Sequence, residues 1–330
     1  MNRRHLFILL SLLLSGILIW LAFRRVSLSS LLRILEHARP QWILAMLAVI
    51  FLDLFIRAFR WKALLFFVSP KASPKKLLEL EAAGLAVNNI LFMRLGELTR
   101  AVLASRDLEI PLSASLSSVA IERALDLGSL LFLFTIVSPF YPKLVPQTLR
   151  HSVLFFLSLT CGGLIFFVFA EKKKDFLISL VNRRFKRWPK VSEMLEGLFN
   201  GAAALKNPRT AFICIALSLS LWCVDALTYW TGAKALGISL GYTGSILVLA
   251  WAAAASALPT APGGFGAFEV LVESIMVKLG TPIYFSLAFA LLTHAAMYIT
   301  VTVFGLFCLS KIGFSLADIS GETRRIKETF

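Results

Sequence analysis

Long apolar runs recur along the chain, at about 6–23, 42–66, 113–137, 152–170, 210–233, 243–259, 263–280 and 283–309. Roughly 20 predominantly apolar residues cross the ~30 Å hydrocarbon core of a bilayer as a helix. Hydrophobic residues make up 58% of the 330 positions, 28 of them Phe, and the mean hydropathy is +0.79; soluble domains hold about 45–50% apolar residues. The predicted fold class is therefore all-α, a polytopic helical membrane protein of about eight transmembrane helices forming one integral membrane domain over 1–330. Residues 6–23 follow Asn2-Arg3-Arg4 and precede Arg24-Arg25, so they read as an uncleaved first span rather than a signal peptide.

The segment at 77–106 is too polar to span simply and reads as a re-entrant hairpin, and 259–280 reads as a second broken or re-entrant segment. Irregular backbone at depth is tolerated where protein or a water-filled cavity surrounds it. The net charge of +15 would suit nucleic acid, but the basic residues lie between apolar runs without interleaved aromatics, so no nucleic-acid partner is expected. Positive charge of this kind retains loops in the cytoplasm. Arg3, Arg4, Lys62, Lys71, Lys75, Lys76, ten residues between Lys172 and Arg209, and Lys311, Arg324, Arg325 and Lys327 fall inside if the N-terminus is inside. The outside segments hold Arg24, Arg25, Arg33, Arg39, Lys143, Arg150 and Lys234. This asymmetry predicts a cytoplasmic-membrane protein with both termini in the cytoplasm, an amphipathic outer helix at 27–38, cytoplasmic surface helices over 171–207 and a cytoplasmic tail at 311–330. Cys161, Cys214, Cys223 and Cys308 lie within apolar runs without metal-ligand spacing, and neither a metal site nor a cofactor is expected.

Ionisable residues inside the apolar segments are costly, by about 2.5–3.5 kcal/mol at a helix centre, and mark functional sites by default. Asp53, Arg57 and Arg60 share one helical stripe, which predicts an Asp53–Arg57 pair, with Arg60 and Lys62 snorkelling to the surface. Arg94, Glu97 and Arg100 follow Asn88-Asn89, with Gly96 allowing a tight turn or a close backbone approach. Two guanidiniums beside one carboxylate make a net-positive pocket for a phosphate headgroup; a salt-bridge lock on the hairpin is the other reading. Glu122 and Asp126 stand one turn apart beside Arg123 and need a cation between them, for which the arginines above are the partners; a proton relay is the other reading. In 258–269 the helix is broken by Pro259, Pro262, Gly263, Gly264 and Gly266, followed by Glu269 and Glu273. Broken helices near the midplane point to a transport site, and a small-residue helix contact is the alternative. Asp225 is left to pair with an arginine or to cap a bend.

The blocks Arg57-Ala58-Phe59-Arg60-Trp61, Asn88-Asn89-Ile90-Leu91 through Arg94-Leu95-Gly96-Glu97-Leu98 to Arg100, Glu122-Arg123-Ala124-Leu125-Asp126, and Pro262-Gly263-Gly264-Phe265-Gly266 with Glu269 occur in this order. Together they resemble the flippase-like family typified by the membrane region of lysylphosphatidylglycerol synthases, over roughly 6–310. Two positions depart from that pattern: Phe92-Met93 stands where the family has a proline before its first arginine, and Phe268 where an arginine often precedes the last acidic residue. The soluble aminoacyl-transfer domain of full synthases is not expected here.

The resemblance implies transport of a lipid, or of its headgroup, between leaflets. Membrane lipids with anionic or phosphate-bearing headgroups would be the substrate, bound by Arg94, Glu97, Arg100, Glu122, Arg123, Asp126, Asn89 and Glu269. The breaks at Gly96, Pro262, Gly263, Gly264 and Gly266 would let two hairpins part. No catalytic residue is assigned. The alternative is a membrane-embedded enzyme of envelope lipid or glycolipid synthesis, with Asp107 and Glu109 holding Mg²⁺, or an accessory subunit of such an enzyme. Envelope-lipid biosynthetic enzymes and a second copy of the chain are the candidate protein partners.

Overall fold

A computed structural model describes residues 3–92, 95–174 and 203–313, with 176, 178, 179, 197, 199 and 201 between them. Among these residues the secondary structure is helical throughout, and each predicted apolar run lies on a helix. The helices are α1 (Arg3–Phe23), α2 (Leu28–Glu36), α3 (Pro40–Leu64), α4 (Pro74–Ile90), α5 (Leu95–Asp107), α6 (Leu112–Val137), α7 (Gln147–Lys172), α8 (Pro208–Ala235), α9 (Tyr242–Ala255), α10 (Ala267–Lys278) and α11 (Ile283–Lys311). The cytoplasmic surface helices expected over 171–207 and the tail beyond 313 lie largely outside the described residues.

Helix boundaries follow local signals. Ser27, Ser73 and Asn207 cap α2, α4 and α8 with side-chain oxygens that accept from backbone N–H groups of the first turn. Proline opens α3, α4 and α8, where its missing N–H costs nothing. The amphipathic segment expected at 27–38 is α2, which is bent by 77° from α1.

By length and composition α3, α7, α8 and α11 can each cross a membrane, and the bent α1–α2 pair adds a fifth if counted as one span. α6 is 26 residues long, enough for about 39 Å of rise, but it carries Glu122, Arg123 and Asp126. The expected span at 243–259 is corrected, whereas 263–280 follows the reading of 259–280 as a broken or re-entrant segment. α9 has 14 residues and α10 has 12, and at ~1.5 Å per residue each falls short of a ~30 Å core. They form a broken hairpin around the Pro/Gly segment, the counterpart of the α4–α5 hairpin expected at 77–106.

α8 packs along α3, and α11 packs along α4 and across α10; α4 is paired with α5, and α6 with α5, α7 and α8. One buried cluster gathers Val248, Leu249, Val272, Met276, Leu287 and Phe289. A second gathers Trp61, Leu64, Leu77, Leu80, Leu103 and Leu125. Outward faces are apolar: Phe155 and Phe166 on α7 are 64% and 72% exposed, and none of the α7 window is buried. Contiguous apolar surface of this kind marks contact with lipid. Arg60, Glu81, Arg100, Glu122, Asp126, Glu269 and His294 are buried in the interior.

Candidate functional site

The two hairpin tips meet. Asn88, Asn89, Leu91 and Phe92 at the α4–α5 break and residues 256–264 between α9 and α10 line one cavity of about 600 Å³, together with Glu97 and Arg123. Small-molecule sites occupy about 300–1,000 Å³. Arg123 lies near the middle of the 26-residue α6, which puts the cavity near mid-depth of the bundle. The second tip is shaped by glycines in conformations that L side chains rarely adopt: Gly263, Gly264 and Gly266 have φ of 76°, 77° and 88°.

Behind the cavity lies a buried ion-pair network joining α3, α4, α5 and α6. Arg60, fully buried, donates through Nη2 to Glu122 Oε1 (2.7 Å) and through Nη1 to Asp126 and to Ser218 Oγ (3.2 Å). Arg100 donates to both oxygens of Glu122 at 3.1 Å and also to Glu81; its guanidinium stacks over Trp61, 4.6 Å from the ring centre. Trp222 Nε1 donates to Asp126 Oδ1 at 3.2 Å. A buried charge is tolerable where paired and hydrogen-bonded, and each of these arginines has several acceptors. Arg123 is the outermost member. Its Nη2 reaches Glu122 Oε1 at 3.0 Å and Asp126 Oδ2 at 3.1 Å, while Nη1 lies 3.7 Å from Glu97 Oε1. Its side chain is 40% exposed and that of Glu97 32%. The network is thus fixed within and open at the cavity wall.

A second cavity, of about 320 Å³, adjoins the first through Asn89 and Ser256. Asp53, Arg57, Asp225, Trp222, Tyr229, His294 and Tyr298 are among its lining residues. Arg57 Nε donates to Asp53 Oδ2 at 2.7 Å. His294 of α11 sits between the cavities: Nδ1 is 2.6 Å from Glu269 Oε1 and Nε2 is 2.9 Å from the Gly263 carbonyl oxygen. Glu269 Oε2 accepts from Gly266 N–H at 2.6 Å, closing the first turn of α10.

The structure thus brings the residues singled out from the sequence into one region, in altered roles. The i,i+4 Asp53–Arg57 pair forms as the spacing predicts, and Arg60 and Arg123 both bridge Glu122 and Asp126. Arg60 therefore does not snorkel; paired carboxylates on α6 hold it inside. Asn89, Glu97, Arg123, Pro262, Gly263 and Gly264 line the large cavity. Arg100 does not: Glu81 and Glu122 occupy its Nη donors, and it borders only a crevice of about 10 Å³. Among the described residues Arg60, Arg100 and Arg123 face Glu81, Glu97, Glu122 and Asp126. Arg94 lies outside the described residues.

Gly96 is not the break itself. α4 ends at Ile90 and α5 begins at Leu95, and Gly96 lies in the first turn of α5 against α4. A Cβ there would stand 1.9 Å from the Gly84 carbonyl oxygen, and its N–H donates to Asn88 Oδ1 at 2.7 Å. Glu81 and His294 were missed as site residues. The available signal was the same for both, an ionisable residue in an apolar helix that needs a partner.

Helices turned apolar side out, an ionisable interior and two broken hairpins meeting at a cavity define a multi-pass membrane protein. The chain belongs to the lysylphosphatidylglycerol synthase TM region family, whose model matches residues 8–305. It is similar to the UPF0104 membrane protein MJ1595 of Methanocaldococcus jannaschii, with 27% identity over 302 residues covering 85% of this chain and 87% of that protein.

Proposed function

We propose that this protein moves an amphipathic lipid, or its headgroup, between the leaflets of the cytoplasmic membrane, with both termini on the cytoplasmic side. The observation that carries the reading is the cavity of about 600 Å³ formed where two hairpin tips meet, walled by Arg123 and Glu97. Helix breaks at the midplane are a recurrent way to build a transport site, because freed backbone groups face the substrate. An anionic or phosphate headgroup enters this cavity and takes the place of Glu97 at Arg123, while the acyl tails remain in lipid. The 3.7 Å gap between those side chains is too long for a firm hydrogen bond, so the exchange gives up little. Arg60 and Arg100 act differently, holding Glu122 and Asp126 so that Arg123 keeps its direction. Arg94 remains a candidate second cation for the headgroup.

The reading is of a transporter rather than an enzyme. Asp107, which the enzyme alternative would use for Mg²⁺, accepts from Arg106 at 2.6 Å and pairs with Lys76 at 2.6 Å, so cations of the chain already occupy it. Binding is tested with purified protein in neutral detergent, by its thermal midpoint against anionic, zwitterionic and neutral lipids. A ligand at 100 times its Kd stabilises the folded state by about 2.7 kcal/mol. Stabilisation by phosphate-bearing lipids that Arg123→Ala removes is the expected result. Equal stabilisation of native and variant protein by every lipid would contradict the assignment.

A further inference from the structure

The hydrogen bonds of His294 count a proton. A carbonyl oxygen only accepts, so the 2.9 Å contact with Gly263 requires hydrogen on Nε2. At 2.6 Å from Glu269 Oε1, Nδ1 must either donate to the carboxylate or accept from a protonated carboxyl. Both arrangements contain one proton more than a neutral ring beside an ionised carboxylate. Without it a nitrogen lone pair would face a carboxylate oxygen at 2.6 Å, or the ring would turn its hydrogen toward Glu269 and release Gly263. Glu269 and His294 are 4% and 6% exposed, so water does not readily substitute for the lost bond. The rings of Phe265 and Phe268, centred 4.9 and 4.3 Å from the imidazole, restrict its rotation.

We infer that the Glu269–His294 pair binds one exchangeable proton, and that this proton fastens the tip of the α9–α10 hairpin to α11. The inference rests on the transport reading above, for which the proton is the coupling ion. Proton bound, the Gly263 carbonyl is held and the tip closes the wall between the two cavities. Proton released, the tip detaches and the Gly-rich segment swings on residues that already occupy positive φ. Other polar groups set the field around the pair. Asp53 and Arg57 of α3, Asp225 and Tyr229 of α8, Asn89 of α4 and Tyr298 of α11 line the cavity that His294 borders. Glu273 lies one turn beyond Glu269 on α10, and Arg25, just after the α1 helix that packs on α10, lies in its field. The helix α2, also packed on α11, contributes no side chain to either cavity wall.

Glu269→Gln isolates the proton. The amide supplies N–H to Nδ1, its oxygen accepts from Gly266, and a neutral ring keeps its Nε2 hydrogen on Gly263, so the closed state no longer needs a proton. The assay is maleimide labelling of Leu258→Cys, an exposed position on the large-cavity wall, with Cys161, Cys214, Cys223 and Cys308 replaced by alanine. It is read in proteoliposomes from pH 5 to 9 as the ratio to the same cysteine in Glu269→Gln, which cancels the pH dependence of the thiol. A one-proton release raises that ratio by at most about tenfold per pH unit. The expected result is a single rising transition in the native background and constant high labelling in His294→Ala. A flat ratio overturns the inference, as does a Glu269→Gln protein whose own labelling keeps a conformational transition. The readout requires no transport: titrating labelling without lipid movement would sink the transport reading alone, and lipid movement with flat labelling would sink the proton site alone.

Discussion

Replacing Arg60 by alanine tests whether the ion-pair network is a buried structural unit. Arg60 is 0% exposed and supplies hydrogen bonds to Glu122, Asp126 and Ser218. Removing one partner from a buried pair costs about 3–5 kcal/mol, because the remaining charge stays buried without its counter-ion. Two carboxylates one turn apart lose the buried one of their two shared cations here, which argues for the upper end. Glu122 keeps Arg100 and Arg123, however, and Asp126 keeps Arg123 and Trp222, so the expected loss is about 3 kcal/mol. Equilibrium unfolding in mixed micelles, titrated with dodecyl sulfate, measures it. Arg60→Lys restores charge but not the forked geometry that reaches two carboxylates, and should recover only part of the loss. A change below about 1 kcal/mol for Arg60→Ala, the size of a solvated surface pair, would refute the argument, since it would mean that Arg60 reaches water.

Gly96→Ala should destabilise the α4–α5 hairpin by about 1–3 kcal/mol, because its Cβ would lie 1.9 Å from the Gly84 carbonyl oxygen; the same unfolding titration checks it. Asn88→Ala should cost about 1–2 kcal/mol by orphaning the Gly96 N–H that Asn88 Oδ1 accepts, and faster hydrogen exchange at that amide is its signature. At the base of the same hairpin, burial would raise the Asp107 carboxyl pKa, but hydrogen bonds from Arg106 and Lys76 outweigh it and hold the pKa below the usual range. Its stabilising contribution is therefore present above the unfolded pKa of about 3.9 and is lost as pH falls through the lower folded value. Asp107→Asn should cost under about 1 kcal/mol at pH 7, with a difference from native that shrinks only in strong acid.

Local features of this chain were legible because they depend on short spacings. Asp53 and Arg57 are one turn apart, and they pair. Pro259, Pro262 and the glycines after them break the helix where the sequence places the break. What the spacing could not supply was which distant group meets which. Glu122 and Asp126 announce the need for a cation, yet Arg60 comes from 62 residues away, and only the packing of α3 on α6 and α8 brings it in beside the nearer Arg100. Gly96 shows the same limit. A glycine between a leucine and a glutamate fits a turn or a close helix contact equally well, and the approach of Gly84 decides for the contact. His294 stands in an apolar helix with no charged neighbour at helical spacing, so its pairing with Glu269 emerges only when α10 folds back onto α11. The cavity, likewise, belongs to neither hairpin alone.

The central claim is that the cavity at the hairpin tips passes a lipid headgroup. Its most direct test is translocation of headgroup-labelled lipids in proteoliposomes of the purified protein, with Arg123→Ala as the matched variant and folding verified for both. The account predicts headgroup-selective movement by the native protein, lost or reduced by at least an order of magnitude in the variant, as expected if ~1.4 kcal/mol or more of headgroup binding comes from that guanidinium. Movement of no lipid by the folded native protein, or equal movement by the variant, would contradict it.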